Sequence, residues 1–346
     1  MDKQVLFLLV LLCSVTFCQA GYYTVGNQPE HNADFTSIQS AVEYASSYDT
    51  IYVMGSPINY GNVLLEKPLV LKGEGANDQL QSEHTSKLTR ILLTSNPYRR
   101  TISSGSSIVG FEFPFFPGKR ANIVTVGGAS NKITDITLER NWLWFIDVVG
   151  EAENWTIRNN IIRGWFDGRI DVSSDESYGA KDFVFENNII NSLKGFDTAV
   201  VSNNVFLGRL KNIVGSEIHH NIFIREGPFL DNVGRCHFHN NVAVSSKVGK
   251  ESCYESAEVF ESDNHCMAMT NTGNNNRVGV DPGFGYIPSK GISGGAVFEP
   301  GNTLVEKGSD GSKIGIFGGN SPFPSSTFME PEITNPFSTF VVESIY

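Results

Sequence analysis

Six short stretches in the middle of the chain follow one pattern: Thr137-Leu138-Glu139-Arg140-Asn141, Thr156-Ile157-Arg158-Asn159-Asn160, Val184-Phe185-Glu186-Asn187-Asn188, Val200-Val201-Ser202-Asn203-Asn204, Glu217-Ile218-His219-His220-Asn221 and His237-Phe238-His239-Asn240-Asn241. The final Asn recurs at spacings of 19, 28, 16, 17 and 20 residues, and an apolar residue follows it each time, from Trp142 to Val242. The third position before that Asn is always apolar and its neighbours are mostly polar, the period-2 alternation of a strand with one buried face. One such unit cannot bury its apolar face alone, but stacked units turn these positions into a continuous column. Asn suits the bend because it tolerates left-handed backbone, and stacked amides can hydrogen-bond along the column. The uneven spacing excludes a tight hexapeptide-type repeat and predicts turns carrying loops of different size.

Working outward, Thr36-Ser37-Ile38-Gln39 reads as a capping box opening a helix over about residues 36–46. Ile38, Ala41, Val42 and Ala45 form one apolar stripe at helical spacing. The β-rich runs Thr50-Ile51-Tyr52-Val53-Met54, Asn62-Val63-Leu64-Leu65 and Pro68-Leu69-Val70-Leu71-Lys72-Gly73 follow. A helix with one apolar face in this position would plug the open end of a stacked sheet, whose unpaired backbone groups otherwise template aggregation.

The N-terminal helix and strands, ending in Lys72-Gly73-Glu74-Gly75, and the recurring Asn-Asn-Ile-type units resemble the pectate-lyase-like superfamily of right-handed parallel β-helices. Asp281-Pro282-Gly283-Phe284 and Ile314-Gly315-Ile316-Phe317-Gly318-Gly319 are similar to the C-terminal end of many secreted bacterial members. The resemblance covers roughly residues 22 to 320 and implies an all-β, single-stranded right-handed parallel β-helix (a solenoid) with an N-terminal capping helix. It is nearly silent on activity, since the superfamily includes lyases, hydrolases, esterases, tailspikes, adhesins and binding modules. The motifs of its polygalacturonases, pectin methylesterases and classical pectate lyases are absent or only loosely echoed.

The chain has 346 residues, is 40% hydrophobic and 18% charged, and carries a formal net charge of -11. That composition excludes a disordered chain, and the lack of a basic excess argues against a nucleic-acid partner. Lys3, the apolar run Val5 to Leu12 and Cys18-Gln19-Ala20 read as a signal peptide over residues 1–20, so the protein is expected to be secreted, extracellular or at the cell surface, with the periplasm as an alternative. No later stretch is apolar for long enough to form a membrane span. The β-helix domain is then placed at residues 21–320, with 321–346 a C-terminal tail or cap. Export permits disulfides; Cys253 and Cys266 flank a polar loop and are expected to pair, leaving Cys236 as a small buried thiol.

Two constellations carry chemistry. Two and four positions before the final Asn, the outward columns place Glu217, His219, His237 and His239 on neighbouring turns. There His219 and His239 are candidates for general acid–base work, and Glu217 and His237 for metal ligation. The long interval between Asn160 and Asn188 reads as a loop projecting from Gly164 to Tyr178. Arg169 and Lys181 are its catalytic candidates, and Asp167 and Asp171 are alternative metal ligands that could hold Ca²⁺. Trp142, Trp144, Arg158, Arg163 and Trp165 are the candidate substrate-binding residues, offering flat faces and positive charge to a sugar chain. The expected function is a monomeric carbohydrate-active protein that binds an extracellular polysaccharide and, in one reading, cleaves it by β-elimination. The alternative is a non-catalytic surface, adhesin or structural module.

Overall fold

The computed structural model describes residues 20–75, 85–96, 101–115, 121–126, 132–168, 180–224 and 228–243, the strands 249–251 and 277–278, and residues 311, 314–316, 318–320 and 322. The fold is nearly all parallel β-sheet, with many short strands in long stacks, and is compatible with a parallel β-helix. One ten-stranded sheet runs from Tyr22–Val25 through Thr50–Val53, Val70–Gly73, Ser107–Val109, Thr137–Glu139, Thr156–Arg158, Val184–Glu186, Val200–Ser202 and Glu217–His219 to His237–His239. Ile51, Leu71, Ile108, Leu138, Ile157, Phe185, Val201, Ile218 and Phe238 are register partners along it, and all are fully buried. This is the apolar column anticipated from the repeat. The second sheet continues each turn beyond the bend, for example as Ile161–Asp167, Ile189–Asp197, Leu210–Val214 and Leu230–Gly234. Among the described residues the one antiparallel strand pair joins Arg90–Asn96 to Thr101–Ile102.

The repeated Asn-Asn divides two jobs that the sequence reading assigned to one residue. The first position, occupied by Arg140, Asn159, Asn187, Asn203, His220 and Asn240, takes the left-handed conformation, with φ between 53° and 56°. The second turns inward. Asn141, Asn160, Asn188, Asn204, Asn221 and Asn241 are fully buried, and each of the first five donates its backbone N–H to the next turn's Asn Oδ1 at 2.8–3.0 Å. Their Nδ2 groups reach the strand carbonyls of the turn before, as in Asn204 to Phe185 at 2.9 Å. The ladder thereby satisfies backbone groups that the bend removes from the sheet and would otherwise leave buried and unpaired.

The capping helix is shorter than expected and capped differently. It spans Ile38–Tyr44, buries Ile38, Ala41 and Val42, and packs on the first strands. Ser37 is its N-cap, with no side-chain cap bond. Gln39 does not close a capping box because its Oε1 accepts the Leu64 N–H at 2.9 Å, tying helix to strand. At the other end of the described chain, residues 314–316 and 318–320 lie across the bend column. Gly315 donates its N–H to the His220 carbonyl at 2.7 Å, and Asn187 Nδ2 donates to the Ile316 and Gly318 carbonyls. Cys236 is a free, fully buried thiol, pushed up to about 12 by burial. Residues 1–19, Cys253 and Cys266 lie outside the described residues, as does nearly all of the tail beyond 320.

Candidate functional site

The expected loop from Gly164 onward is strand as far as Asp167. Ile161–Asp167 pairs with Ile189–Asp197 on one side and with Trp142–Leu143 and Ile146–Asp147 on the other. Between those last two strands the chain leaves the ladder at Trp144 and Phe145, whose N–H groups are both accepted by Asn122 Oδ1, at 2.8 and 3.1 Å. Gly164 donates its N–H to the Trp144 carbonyl at 2.8 Å and passes under the Phe145 ring. A Cβ at 164 would stand 2.1 Å from that ring, so glycine is required for the ring to lie there.

The result is an aromatic row crossing three successive turns: Phe115 to Trp144 at 4.7 Å between ring centroids, Trp144 to Phe145 at 6.4 Å, and Phe145 to Trp165 at 4.3 Å. Its two ends are open to solvent, Phe115 at 51% and Trp165 at 44%. Trp165 Nε1 donates to Asp147 Oδ1 at 3.3 Å. Beside the row, the Arg163 guanidinium carbon lies 4.3 Å from the Trp142 ring centroid and 5.5 Å from that of Trp144, a cation–π arrangement that fixes both tryptophans. The exposed ends and polar edges set this row apart from the buried aromatic residues of the core.

The second constellation forms as the repeat alignment predicted. Glu217 is the register partner of His237, and His219 of His239. Glu217 Oε1 is 2.7 Å from His239 Nε2, and its Oε2 is 3.4 Å from His237 Nδ1. The His219 and His239 rings stack in parallel, 6° between planes and 4.8 Å between centroids. His220 joins them across the bend, its Nδ1 2.8 Å from His219 Nδ1.

The other candidates are not brought together. Arg158 belongs to the histidine column of the ten-stranded sheet, not to the aromatic row. It reaches back to Glu139 through Nε at 2.9 Å and Nη2 at 2.7 Å, and Glu139 also takes Arg140. Glu139 is 8% exposed for that reason, although an outward column would leave it in solvent. Asp167 is buried in its strand. Lys181 is exposed and pairs in register with Asp197, whereas Trp165 pairs with Ser192 five positions earlier on the same strand. Arg169 and Asp171 lie outside the described residues.

Sequence reasoning missed Phe115, Phe145, Asn122, His220 and Asn240. His220 and Asn240 were legible as the first position of the Asn-Asn pair. Phe115 was not, because its turn has Gly110 in the left-handed position and Phe111, not Asn, at the end of the ladder, where the Phe111 N–H meets Asn141 Oδ1 at 3.0 Å. In comparisons with known proteins, no family model matches the chain and no curated protein matches its sequence.

Proposed function

We propose that the chain is a right-handed parallel β-helix of the pectate-lyase-like type, exported, that binds an extracellular polysaccharide along its aromatic flank. The observation carrying this reading is the row Phe115, Trp144, Phe145 and Trp165, with Arg163 laid on Trp142 beside it. Right-handedness is part of this reading, supported by the general preference for right-handed connections between parallel neighbours. Turns in such a stack repeat about every 4.8 Å, close to the length of one pyranose unit, so a sugar chain lying along the flank meets a new aromatic group at each turn. The net charge of -11 and the Asp147 carboxylate at the row's edge favour a neutral or sparsely charged polymer over a dense polyuronate. Binding, not cleavage, is proposed, because the described basic candidates Lys181, His219 and His239 stand on other columns.

Affinity electrophoresis through gels containing neutral and uronate polysaccharides tests the reading. At least one polymer should retard the protein, Trp165→Ala should abolish most of that retardation, and added salt should change it little. Retardation unaffected by Trp165→Ala, or absent with every polymer, would overturn it.

A further inference from the structure

The histidine patch is chemically separate from the aromatic flank. Its partners determine the tautomers of the neutral rings. The Asn240 amide nitrogen is a donor only, and it sits 3.1 Å from His220 Nε2 and 3.3 Å from His239 Nδ1, so both ring nitrogens accept. His239 therefore carries its proton on Nε2 and donates it to Glu217 Oε1. His220 carries its proton on Nδ1 and donates it to His219 Nδ1, whose lone pair points at its neighbour. One ligand atom from each of His219, His220 and His239 lies within 4.8 Å of the others.

We infer that His219, His220 and His239 form a binding site for a transition-metal ion of the Zn²⁺, Cu²⁺ or Ni²⁺ class, with Glu217 as the carboxylate that orients His239. Imidazole nitrogen is a borderline-soft ligand that selects such ions over Ca²⁺ and Mg²⁺, which take oxygen. Two nitrogens on one tetrahedral ion stand about 3.3 Å apart for metal–nitrogen bonds of about 2.0–2.1 Å, so the 2.8 Å His219–His220 pair opens slightly on the ion while His239, within 4.8 Å, closes toward it. When the ion binds between His219 and His220, the His220 proton moves from Nδ1 to Nε2, and the Asn240 amide turns so that its oxygen accepts that proton; the same rotation releases His239 Nδ1 as the third ligand. The carboxylate on Nε2 of that ring is the usual outer partner of a metal-bound histidine, and raises its basicity.

His220 is the residue that separates this site from ordinary stacking. His219 and His239 stack because register places them so, but His220 occupies a left-handed slot filled by Asn159, Asn187, Asn203 and Asn240 on other turns, and the residue is 6% exposed.

Calorimetric titration of the untagged full chain with zinc chloride, alongside cobalt chloride followed by visible absorption, tests the site. His220→Asn and His219→Ser restore residues that other turns hold at the same positions, so both variants keep the fold. The wild type should bind zinc with micromolar or tighter affinity and give the intense visible bands of tetrahedral cobalt. Each variant should weaken zinc about 10–100-fold or more and bleach the cobalt bands. His237→Val, which restores the residue of two earlier turns outside the ligand set, should leave zinc affinity within about threefold. Absence of zinc binding by the wild type would overturn the site. Affinity and cobalt bands unchanged in both His220→Asn and His219→Ser would place the ion elsewhere and overturn it equally.

Discussion

The aromatic flank and the histidine patch are built on the same stacked frame, yet they use it in opposite ways. The flank arises where the chain departs from the frame. Trp144 and Phe145 leave the ladder, Asn122 compensates their N–H groups, and Gly164 makes room beneath the Phe145 ring. The patch arises where the frame is most regular, since in-register pairing alone sets Glu217 against His237 and His219 against His239. A regular region can thus be rebuilt residue by residue from its neighbours, whereas the irregular one depends on a few supporting residues that touch no ligand.

Both regions share the asparagine ladder, and breaking it should have the largest effect. Asn204 donates Nδ2 to Phe185, Ser202 and Asn221, and its Oδ1 accepts from both nitrogens of Asn188. Asn204→Ala strands several buried backbone groups, so a loss of about 3–5 kcal/mol is expected in urea unfolding. A loss under about 1 kcal/mol would mean that the ladder is decoration.

Gly164→Ala should be the sharpest discriminator between the two regions. The added methyl collides with Phe145 and the Trp144 carbonyl, so polysaccharide retention should fall several-fold while zinc binding at the patch stays unchanged. Equal losses in both would show that the flank has no local support of its own.

Alkaline pH acts on the common core. Burial pushes Cys236 from 9.0 and Tyr60 from 10.0 up to about 12, and raises Tyr52 further with help from Glu74. The native state therefore holds these protons more tightly than the unfolded chain. The stability they contribute is complete below about pH 9 and drains away as pH rises toward about 12. Thermal melts across that window should shift downward, and Cys236→Ala should lessen the shift. A melting temperature independent of pH there would contradict the burial of these groups.

The smallest effect is expected from Arg158→Ala. This guanidinium is committed to Glu139 on the other face, so sugar retention should not change and stability should fall by no more than about 1 kcal/mol.

What was legible in the sequence divides along the same line. The asparagine spacing revealed the stacked column and the Glu217–His239 patch, because in-register repeats convert sequence position directly into neighbourhood. The flank was legible only as a set of tryptophans, because the groups that hold it belong to turns without the asparagine signature, such as the one ending at Phe111. Gln39 matched a capping motif but serves a strand N–H instead, a tertiary demand that local pattern does not contain. His220 was passed over because the bend was assigned to the final Asn of each unit and the position before it was given no role, while its side chain reaches a neighbouring ring.

The central claim is that successive asparagine-terminated segments lie directly against one another in register. Val184 and Val200 are register partners whose side chains face outward, while Val201 points into the core. Oxidation of the double variant Val184→Cys/Val200→Cys, with peptide mapping by mass spectrometry, measures that register. A disulfide between positions 184 and 200, and none in Val184→Cys/Val201→Cys, is the predicted result. The reverse pattern, or no disulfide in the first pair, would contradict the stacking on which both sites depend.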